Sequence, residues 1–256
     1  MKKIKKKYNL KKKKIFVLGG SGLIGFEVCK EFLEFESNVL NLDVQKKNIK
    51  NKNYKFTKFD ISDFENLEIN LFKIIKKYGC PDVLINCSYP RTNDWSKNNF
   101  LSIKLKSFYR NINLQLTSSS WILKIFADEM KKNKKLGSII QLSSIYGMVG
   151  QNLNIYQNTN MTENFPYSII KGGQSNLVKQ MASYYGRHKI RVNAVCAGGV
   201  FDNQNKKFVK NYSKQVPIKR MAKAHEISST IIFLSSDASS YITGSNLVVD
   251  GGWTSI

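Results

Sequence analysis

The sequence is poor in the residues that cross-link small secreted domains or bind metal ions. Among its 256 residues there are four cysteines and two histidines. The cysteines are Cys29, Cys80, Cys87 and Cys196. They form no CxxC pair and no other short spacing, which argues against a disulfide framework and a zinc site. His188 and His225 lie far apart in sequence and lack metal-ligand spacing. We therefore expect no metal and a reducing, cytoplasmic setting.

A long apolar run is also missing. No stretch reaches the roughly 18 residues that a membrane-spanning helix requires. The lysine-rich start followed by Ile15–Phe26 has the outline of a secretion signal, with a charged region before an apolar one. However, four glycines lie within seven positions of this stretch, and no small-residue cleavage site follows before Glu27. We therefore expect neither a membrane segment nor a secretion signal.

Acidic residues are scarce, since 18 Asp and Glu stand against 41 Lys and Arg, for a formal charge of +23. Nine of the lysines fall within the first fourteen residues, and the other basic residues are spread over many segments. This distribution favours a compositional bias over a specific nucleic-acid site, because charge alone bears on solubility and encounter rates. A polyanion-binding protein remains an alternative. Residues 1–13 are predicted to form a solvated, mobile lysine-rich tail.

Only four prolines occur, and no linker or internal repeat interrupts the rest of the chain, so 14–256 is predicted to be one domain. Short apolar runs alternate with longer amphipathic ones. The short runs predict strands at 14–18, 38–43, 54–60, 82–86, 137–144, 190–195 and 246–252. The longer runs predict helices at 23–35, 64–78, 105–132, 167–187 and 224–235. This rhythm predicts an α/β fold, a single Rossmann-type doubly wound parallel sheet with helices on both faces and a ligand crevice at the carboxyl ends of its strands.

A glycine-rich turn follows the first predicted strand. Gly19, Gly22 and Gly25 have a spacing that allows a tight turn, close approach to a pyrophosphate and helix packing against the strand. Asp43 ends the second predicted strand, where a carboxylate accepts hydrogen bonds from the adenosine ribose. The same charge would repel a 2′-phosphate, so NAD is favoured over NADP, although Lys46 and Lys47 lie nearby. The segment predicted to contact the dinucleotide is Gly19, Ser21, Gly22, Leu23, Ile24 and Gly25.

A tyrosine and a lysine are placed one helical turn apart by the segment YSIIK, which puts Tyr167 and Lys171 on one helix face. The ammonium is expected to lower the pKa of the phenol, so that Tyr167 can act as an acid or base toward a carbonyl or an alcohol. Three other tyrosines share the spacing, but Tyr167 alone also follows a strand that ends in LSSIYG. That strand brings the hydroxyl of Ser144 to the crevice, where it can hydrogen-bond the reacting oxygen.

Together these motifs resemble the short-chain dehydrogenase/reductase family over nearly the whole chain from Lys14 onward. LINCSYP at 84–90 looks like the family's Asn-Asn-Ala-Gly strand end, with Asn86 retained, and IRVNAVCAGG and YITGSNLVVDGGW resemble its later segments. The resemblance implies that Tyr167 is the acid/base, that Lys171 is its partner and a nicotinamide-ribose ligand, and that Ser144 binds the substrate oxygen. It also implies cofactor contacts from Asp60, Ile61, Asn86 and Gly198.

The family's fourth catalytic residue is an Asn in the long helix that supports a proton-relay water. By resemblance it falls near Asn113, whereas counting back from Ser144 points closer to Gln115. The glycine spacing is nearer that of the family's longer, sugar-nucleotide-modifying branch, but this chain has no residues for the extra substrate domain of that branch. The resemblance also implies a homotetramer or homodimer formed through the helix at 105–132 and the helix of Tyr167.

The segment between Ser144 and Tyr167 is longer than the family's usual connection. Its Asn, Gln and Thr residues suit a polyhydroxylated substrate, although a plain polar surface loop would have the same composition. With SYPRTNDW it looks like family members from surface-polysaccharide and flagellin-glycan gene clusters, which act on sugars. Arg91 in that stretch can pair with a phosphate or carboxylate. We expect an NAD-dependent oxidoreductase acting on a carbohydrate. A 3-oxoacyl thioester or small ketone is the alternative substrate, and a non-catalytic nucleotide- or polyanion-binding protein is the alternative function.

Overall fold

The structure, a computed structural model, describes residues 2–256, and its centre is a seven-stranded parallel sheet. The strands are β1 (Lys14–Leu18), β2 (Asn38–Asp43), β3 (Tyr54–Lys58), β4 (Val83–Asn86), β5 (Gly137–Ser144), β6 (Ile190–Ala197) and β7 (Asn246–Val249). They lie in the order β3-β2-β1-β4-β5-β6-β7, and every neighbouring pair is parallel. The direction of winding reverses between β1 and β4, where such a sheet opens a crevice. The predicted fold class is confirmed.

Helices cover both faces of the sheet. They are α1 (Lys2–Lys7), α2 (Leu23–Glu34), α3 (Leu67–Tyr78), α4 (Leu105–Ile112), α5 (Ser118–Lys132), α6 (Phe165–Tyr185), α7 (Lys206–Gln215) and α8 (Ala224–Ser235). A π-helical turn, Asn113–Thr117, joins α4 to α5, so the predicted long helix is present but contains an irregular turn. Helix α7 was not predicted, because only Phe208 and Tyr212 of its ten residues are buried and the rest read as a polar loop.

Alternation along β1 shows how the two faces are filled. Ile15 and Val17 pack with α2 and α8 in one apolar cluster, whereas Phe16 and Leu18 pack with α3, α5 and α6 in the other. Successive strand side chains point to opposite faces, so a strand covered on both sides must be apolar throughout. The ring of Phe16 meets that of Phe126 edge to face, with the centroids 5.8 Å apart.

The C-terminal end of the predicted tail packs against the domain. Leu10 is fully buried, and its carbonyl accepts a hydrogen bond of 2.8 Å from the Ser37 hydroxyl. The Lys12 amide donates to the carbonyl of Glu36 at 3.0 Å. The predicted solvated segment therefore ends before Leu10, because one apolar residue gains enough from burial to hold the chain beside α2. Met1, also part of the predicted tail, lies outside the described residues.

Candidate active site

A cavity of about 870 Å³ opens at the carboxyl ends of the strands. It is lined by most of the residues that the sequence nominated. These are Gly19, Ser21, Gly22, Leu23, Ile24, Gly25, Asp43, Asp60, Ile61, Ser144, Tyr167, Lys171 and Gly198. The parallel sheet therefore brings the glycine turn and the Tyr167 helix, which are more than 140 residues apart in sequence, to one crevice.

The glycine turn is shaped by close backbone contacts. Gly19 has φ +71°, a left-handed conformation that favours glycine. A Cβ at Gly25 would lie 2.2 Å from the Gly19 carbonyl oxygen, so only a residue without a side chain allows α2 to begin this close to β1. Gly22 caps α2 with no side-chain hydrogen bond. The first N–H groups of α2 therefore need a partner, and an anion such as a pyrophosphate fits there.

Asp43, at the end of β2, stabilises this turn. Its carboxylate accepts hydrogen bonds from the backbone amides of Ser21 at 2.9 Å and Gln45 at 3.1 Å. Because a carboxylate has about four acceptor positions, Asp43 keeps capacity for a ribose hydroxyl. The Lys47 ammonium lies 3.9 Å from the ring centroid of Phe26, against the aromatic face. The residues present thus fit a dinucleotide, with an acidic group at the ribose position.

Asn86, nominated as a cofactor ligand, is not among the residues that line the cavity. It is fully buried, and its amide donates to Gln141 Oε1 at 2.9 Å. Its Oδ1 accepts from the backbone amide of Ser88 at 3.1 Å. The side chain therefore links β4 to β5 and shapes the following turn, so the structure gives it a supporting position beneath the site. Its neighbours Cys87, Ser88 and Tyr89 line the cavity instead.

The proposed catalytic groups lie together. Ser144 ends β5, and its Oγ accepts a hydrogen bond of 3.2 Å from the amide of Tyr146. The Lys171 ammonium lies 5.6 Å from the centroid of the Tyr167 ring. It donates to the Leu142 carbonyl at 3.3 Å and to Gln174 Oε1 at 3.2 Å. An ammonium has three donors, so one remains for a ligand in the cavity.

The pKa of Tyr167 differs in direction from the expectation. Burial raises this pKa above its usual value, and interaction with the Ser144 hydroxyl offsets only part of the shift. Burial also lowers the pKa of Lys171 to about 8, since desolvation disfavours its charged form. The expectation that Lys171 would lower the phenol pKa is therefore wrong for this structure, in which burial dominates and raises the pKa of Tyr167.

The structure does not bring Asn113 to the catalytic groups. Its Oδ1 accepts from Thr117 Oγ1 at 3.1 Å near the surface. Gln115, the other possibility, is buried, and its backbone carbonyl accepts from Gln174 Nε2 at 3.1 Å. Both residues lie in the π turn, Asn113–Thr117. Neither residue lines the cavity, so the assignment of the relay position to one of them stays a prediction.

Comparison with known proteins agrees with this geometry. A family model described as enoyl-(acyl carrier protein) reductase matches residues 21–254. Post-translational flagellin modification protein A of Campylobacter coli is 34% identical over 254 residues, covering 95% of this chain and 99% of that protein. A short-chain dehydrogenase of Leptospira borgpetersenii, solved with bound NAD⁺, superposes with a TM-score of 0.87 at 28% identity, covering 96% of this chain and 94% of that one.

The chain belongs to the short-chain dehydrogenase/reductase family. Another relative is L-rhamnose 1-dehydrogenase (NAD(P)(+)) of Azotobacter vinelandii, which is 27% identical over 203 residues, 75% of this chain and 72% of that protein. Within residues 2–256 of this short-chain dehydrogenase/reductase, no helix is long and apolar enough to span a membrane. The described residues also form no cluster of three or more side chains suited to a metal ion.

The long segment at 145–166 lines part of the cavity of this short-chain dehydrogenase/reductase with apolar and aromatic side chains. Those that face the cavity are Ile145, Tyr146, Ile155, Tyr156 and Met161. Its amides mostly hold the loop together, since Gln151 Nε2 donates to the Asn164 carbonyl at 2.8 Å and Gln151 Oε1 accepts from Tyr156 OH at 3.2 Å. The expectation that its Asn, Gln and Thr residues face a substrate is therefore wrong for Gln151 and Asn164, which are not among the lining residues.

Sequence reasoning missed the part of the cavity wall that comes from α7 and the loop before it, which packs against the 145–166 segment. Gln204, Phe208 and Tyr212 line the cavity there. The ring of Tyr212 stacks on that of Trp253, with the centroids 4.6 Å apart. The Tyr212 hydroxyl accepts a hydrogen bond from the Gly199 amide. The signal that could have revealed this wall is the spacing of Phe208 and Tyr212, two aromatic residues one helical turn apart in a lysine-rich segment.

Proposed function

We propose that this protein is an NAD-dependent oxidoreductase that interconverts a secondary alcohol and a ketone. One observation carries the proposal: Ser144, Tyr167 and Lys171 line the same cavity as the glycine turn and Asp43. Such a reaction needs a hydride acceptor and a proton-transferring phenol at the same carbinol group, so a dinucleotide site and Tyr167 must share one crevice.

The chemistry divides between the ligand and the chain. When bound, the dinucleotide takes or supplies the hydride. Tyr167 takes the hydroxyl proton of an alcohol, or donates a proton to the oxygen of a ketone. Ser144 hydrogen-bonds that same oxygen and orients it toward the phenol. Lys171 faces the cavity with a donor for the ribose, and its charge favours the phenolate when Tyr167 acts as the base.

NAD is proposed over NADP because of the charge at the end of β2. Asp43 lines the cavity there and holds two backbone amides, so its position is well defined. A 2′-phosphate placed beside this carboxylate would be repelled. Lys47, four residues after Asp43, packs over the ring of Phe26. The bound NAD⁺ in the Leptospira structure is consistent with this choice.

For the substrate we propose a carbohydrate or an activated sugar. Aromatic rings surround Tyr167, with centroids at 5.9 Å for Tyr89, 6.3 Å for Trp95 and 6.3 Å for Tyr146. Ring faces of this kind pack against the C–H faces of sugars. The Tyr146 hydroxyl is buried with no hydrogen-bond partner among the described residues, so it offers a polar contact to a substrate. The name of the rhamnose relative supports the same class.

A second candidate substrate is a 3-oxoacyl thioester or another small apolar ketone. The apolar side chains of Ile155, Met161, Phe208 and Met221 line the cavity and favour an acyl chain. The family model's description, an enoyl-(acyl carrier protein) reductase, is in keeping with this class.

Turnover of two substrate panels distinguishes the candidates. Purified enzyme is incubated with NAD⁺ or NADP⁺ and sugar phosphates, nucleotide sugars or polyols, and separately with NADH and acetoacetyl-coenzyme A, while absorbance of the reduced cofactor is followed. We expect activity with NAD⁺ on the first panel. Activity confined to the thioester would reverse the substrate proposal. Failure to bind either cofactor, together with salt-sensitive DNA binding, would favour the polyanion-binding alternative.

We further propose that the protein forms a homotetramer or homodimer through α4, α5 and α6. Large apolar side chains on these helices are exposed in the single chain, among them Leu105, Tyr109, Trp121, Ile169 and Tyr184. Exposed apolar groups concentrated on neighbouring helices mark interaction surfaces. Light scattering should give a multimer for the wild type and a monomer for Leu105→Glu/Tyr109→Glu. A monomeric wild type at micromolar concentration would contradict the proposal.

A further inference from the structure

We propose that Gln174 is a positioning residue that ties the Lys171 ammonium to the π turn between α4 and α5. This inference rests on the proposed function only in that Lys171 serves Tyr167 and the cofactor. Gln174 is almost fully buried, and it lies three residues after Lys171 on α6, so the two side chains share a helix face.

The link consists of two hydrogen bonds through one side-chain amide. Lys171 Nζ donates to Gln174 Oε1 at 3.2 Å. Gln174 Nε2 donates to the Gln115 backbone carbonyl at 3.1 Å and to Ser119 Oγ at 3.3 Å. Because both ends of the amide are engaged, the carbonyl can point only toward Lys171. The amide therefore presents its acceptor to the charged group in a fixed orientation.

The π turn supplies the acceptor at the other end. Three consecutive serines, Ser118, Ser119 and Ser120, donate their hydroxyl protons to the carbonyls of residues 114–116 in this turn. Side chains that bond backward in this way compete with the helix ladder and distort it. The Gln115 carbonyl thus faces α6 and is shared between Ser119 and Gln174.

Close packing of α6 makes the link possible. A Cβ at Gly173 would lie 2.8 Å from the side chain of Leu116, so glycine at this position lets the helix approach the π turn. On the other side, a Cβ at Gly147 would lie 2.6 Å from the Lys171 carbonyl oxygen. Lys171 is therefore held between two tightly packed segments, and Gln174 and the Leu142 carbonyl are its hydrogen-bond acceptors among the described residues.

The consequence is electrostatic. An acceptor beside the ammonium stabilises its charged form, which burial disfavours. The other titratable groups that face Lys171 are Tyr167 on the same helix, Cys87 and Tyr89 after β4, and Cys196 on β6. Burial raises the pKa of each of them, so each stays neutral at neutral pH. Loss of the Gln174 carbonyl should thus change the protonation of Lys171 more than that of its neighbours.

The test compares thermal unfolding of full-length wild type, Gln174→Met and Gln174→Glu without cofactor at pH 6.5 and pH 9.5. The pKa of Lys171 is lower in the fold than in the unfolded chain, so deprotonation favours the native state as pH rises. Gln174→Met lacks the acceptor, and its Tm should be lower by roughly 4–10 °C at pH 6.5, with a much smaller deficit at pH 9.5. Gln174→Glu places a carboxylate beside Lys171 and keeps the ammonium protonated. The Tm of this variant should therefore fall further below that of the wild type as pH rises.

A Tm deficit that shrinks with pH in Gln174→Met and grows with pH in Gln174→Glu supports a positioning role. Equal deficits at both pH values in both variants would mean that Gln174 only fills space, and would overturn the proposal. NADH titration by fluorescence supplies the second measurement: Gln174→Met should weaken binding about tenfold at pH 7. If the wild type binds no NADH, the proposed function fails, whereas the unfolding comparison still decides the role of Gln174.

Discussion

The ammonium of Lys171 lies 5.6 Å from the centre of the Tyr167 ring, one helical turn further along α6. Both groups lie in the cavity wall beside aromatic rings, and burial there raises the pKa of the phenol and lowers the pKa of the amine. The pair is thus desolvated before any ligand arrives, which keeps the Tyr167 phenol protonated at neutral pH and brings the titration of Lys171 closer to neutral pH. Proton transfer at this site should respond to that environment in measurable ways.

Tyr167→Phe should abolish turnover and keep cofactor binding. The substitution removes only the oxygen that exchanges a proton with the substrate, and a general acid or base contributes about 10²–10⁴-fold to the rate. NADH fluorescence titration and absorbance assays on one preparation provide the two measurements. Retention of more than about a tenth of the wild-type rate would contradict the proposed mechanism.

The pH dependence of oxidation and of reduction should differ. Because the pKa of Tyr167 is raised, the phenol is protonated near neutral pH and is ready to donate to a ketone. Alcohol oxidation needs the phenolate, so its rate should increase between pH 6 and pH 9, whereas ketone reduction should stay level or fall. Initial rates in both directions across this range test the sign, and identical profiles would argue against Tyr167 as the proton-transferring group.

Asp43→Asn should shift the cofactor preference toward NADPH. The amide keeps one oxygen to accept the Ser21 N–H but removes the charge that repels a 2′-phosphate. A charge contrast of this kind is worth about 1–3 kcal/mol, so the NADPH to NADH affinity ratio should increase by roughly tenfold or more. Parallel fluorescence titrations measure it. An unchanged ratio would place the ribose elsewhere.

Two glycines of the same turn should behave differently when replaced by alanine. A Cβ at Gly25 would meet the Gly19 carbonyl oxygen at 2.2 Å, whereas one at Gly22 would meet that oxygen at 3.4 Å. Gly25→Ala should therefore destabilise the fold by about 1–3 kcal/mol, and Gly22→Ala by less than about 1 kcal/mol. Urea unfolding of both variants makes the comparison, and equal losses would mean that the turn is not constrained at Gly25.

Asp82→Asn should destabilise the protein at neutral pH. The carboxylate accepts from the Lys14 amide at 2.8 Å and from Lys135 Nζ at 2.7 Å. Burial raises its pKa, but these two contacts outweigh burial and the net pKa is lowered. The stabilisation is present above the ordinary carboxyl pKa and is lost as pH falls through the folded value. We expect a loss of about 1–3 kcal/mol at pH 7 that shrinks toward pH 3.

The matched control for Asp82 is Glu36→Gln. Its partner Lys11 and Glu36 itself are both more than half exposed, so this ion pair is screened by solvent. Urea unfolding at pH 7 should show little change for Glu36→Gln and a clear loss for Asp82→Asn. Similar losses of unfolding free energy in the two variants would show that burial of the Asp82 contacts adds no stability.

Local patterns in the sequence were enough to predict the sheet and the main groups of the site. The apolar runs from 14–18 to 137–144 became strands within a residue or two, since a strand buried on both faces must be apolar throughout. The residues of the glycine turn, Asp43, Ser144 and the Tyr167–Lys171 pair all reached the cavity. Each of these depends on spacing within one strand–turn or one helix, and such spacing is visible in sequence.

Only the tertiary structure decided which polar groups line the site and which support it. Asn86 points inward to Gln141 because a buried amide must find a partner, and a π turn interrupts the long helix at Asn113 and Gln115. Leu10 joined the core, and Gln174 reached the Gln115 carbonyl from another helix. These outcomes depend on contacts between segments distant in sequence, whose geometry packing alone determines. The sequence by itself was enough to predict the fold and the main residues that line the cavity, whereas the tertiary structure decided how deeply they are buried and which groups hydrogen-bond to them.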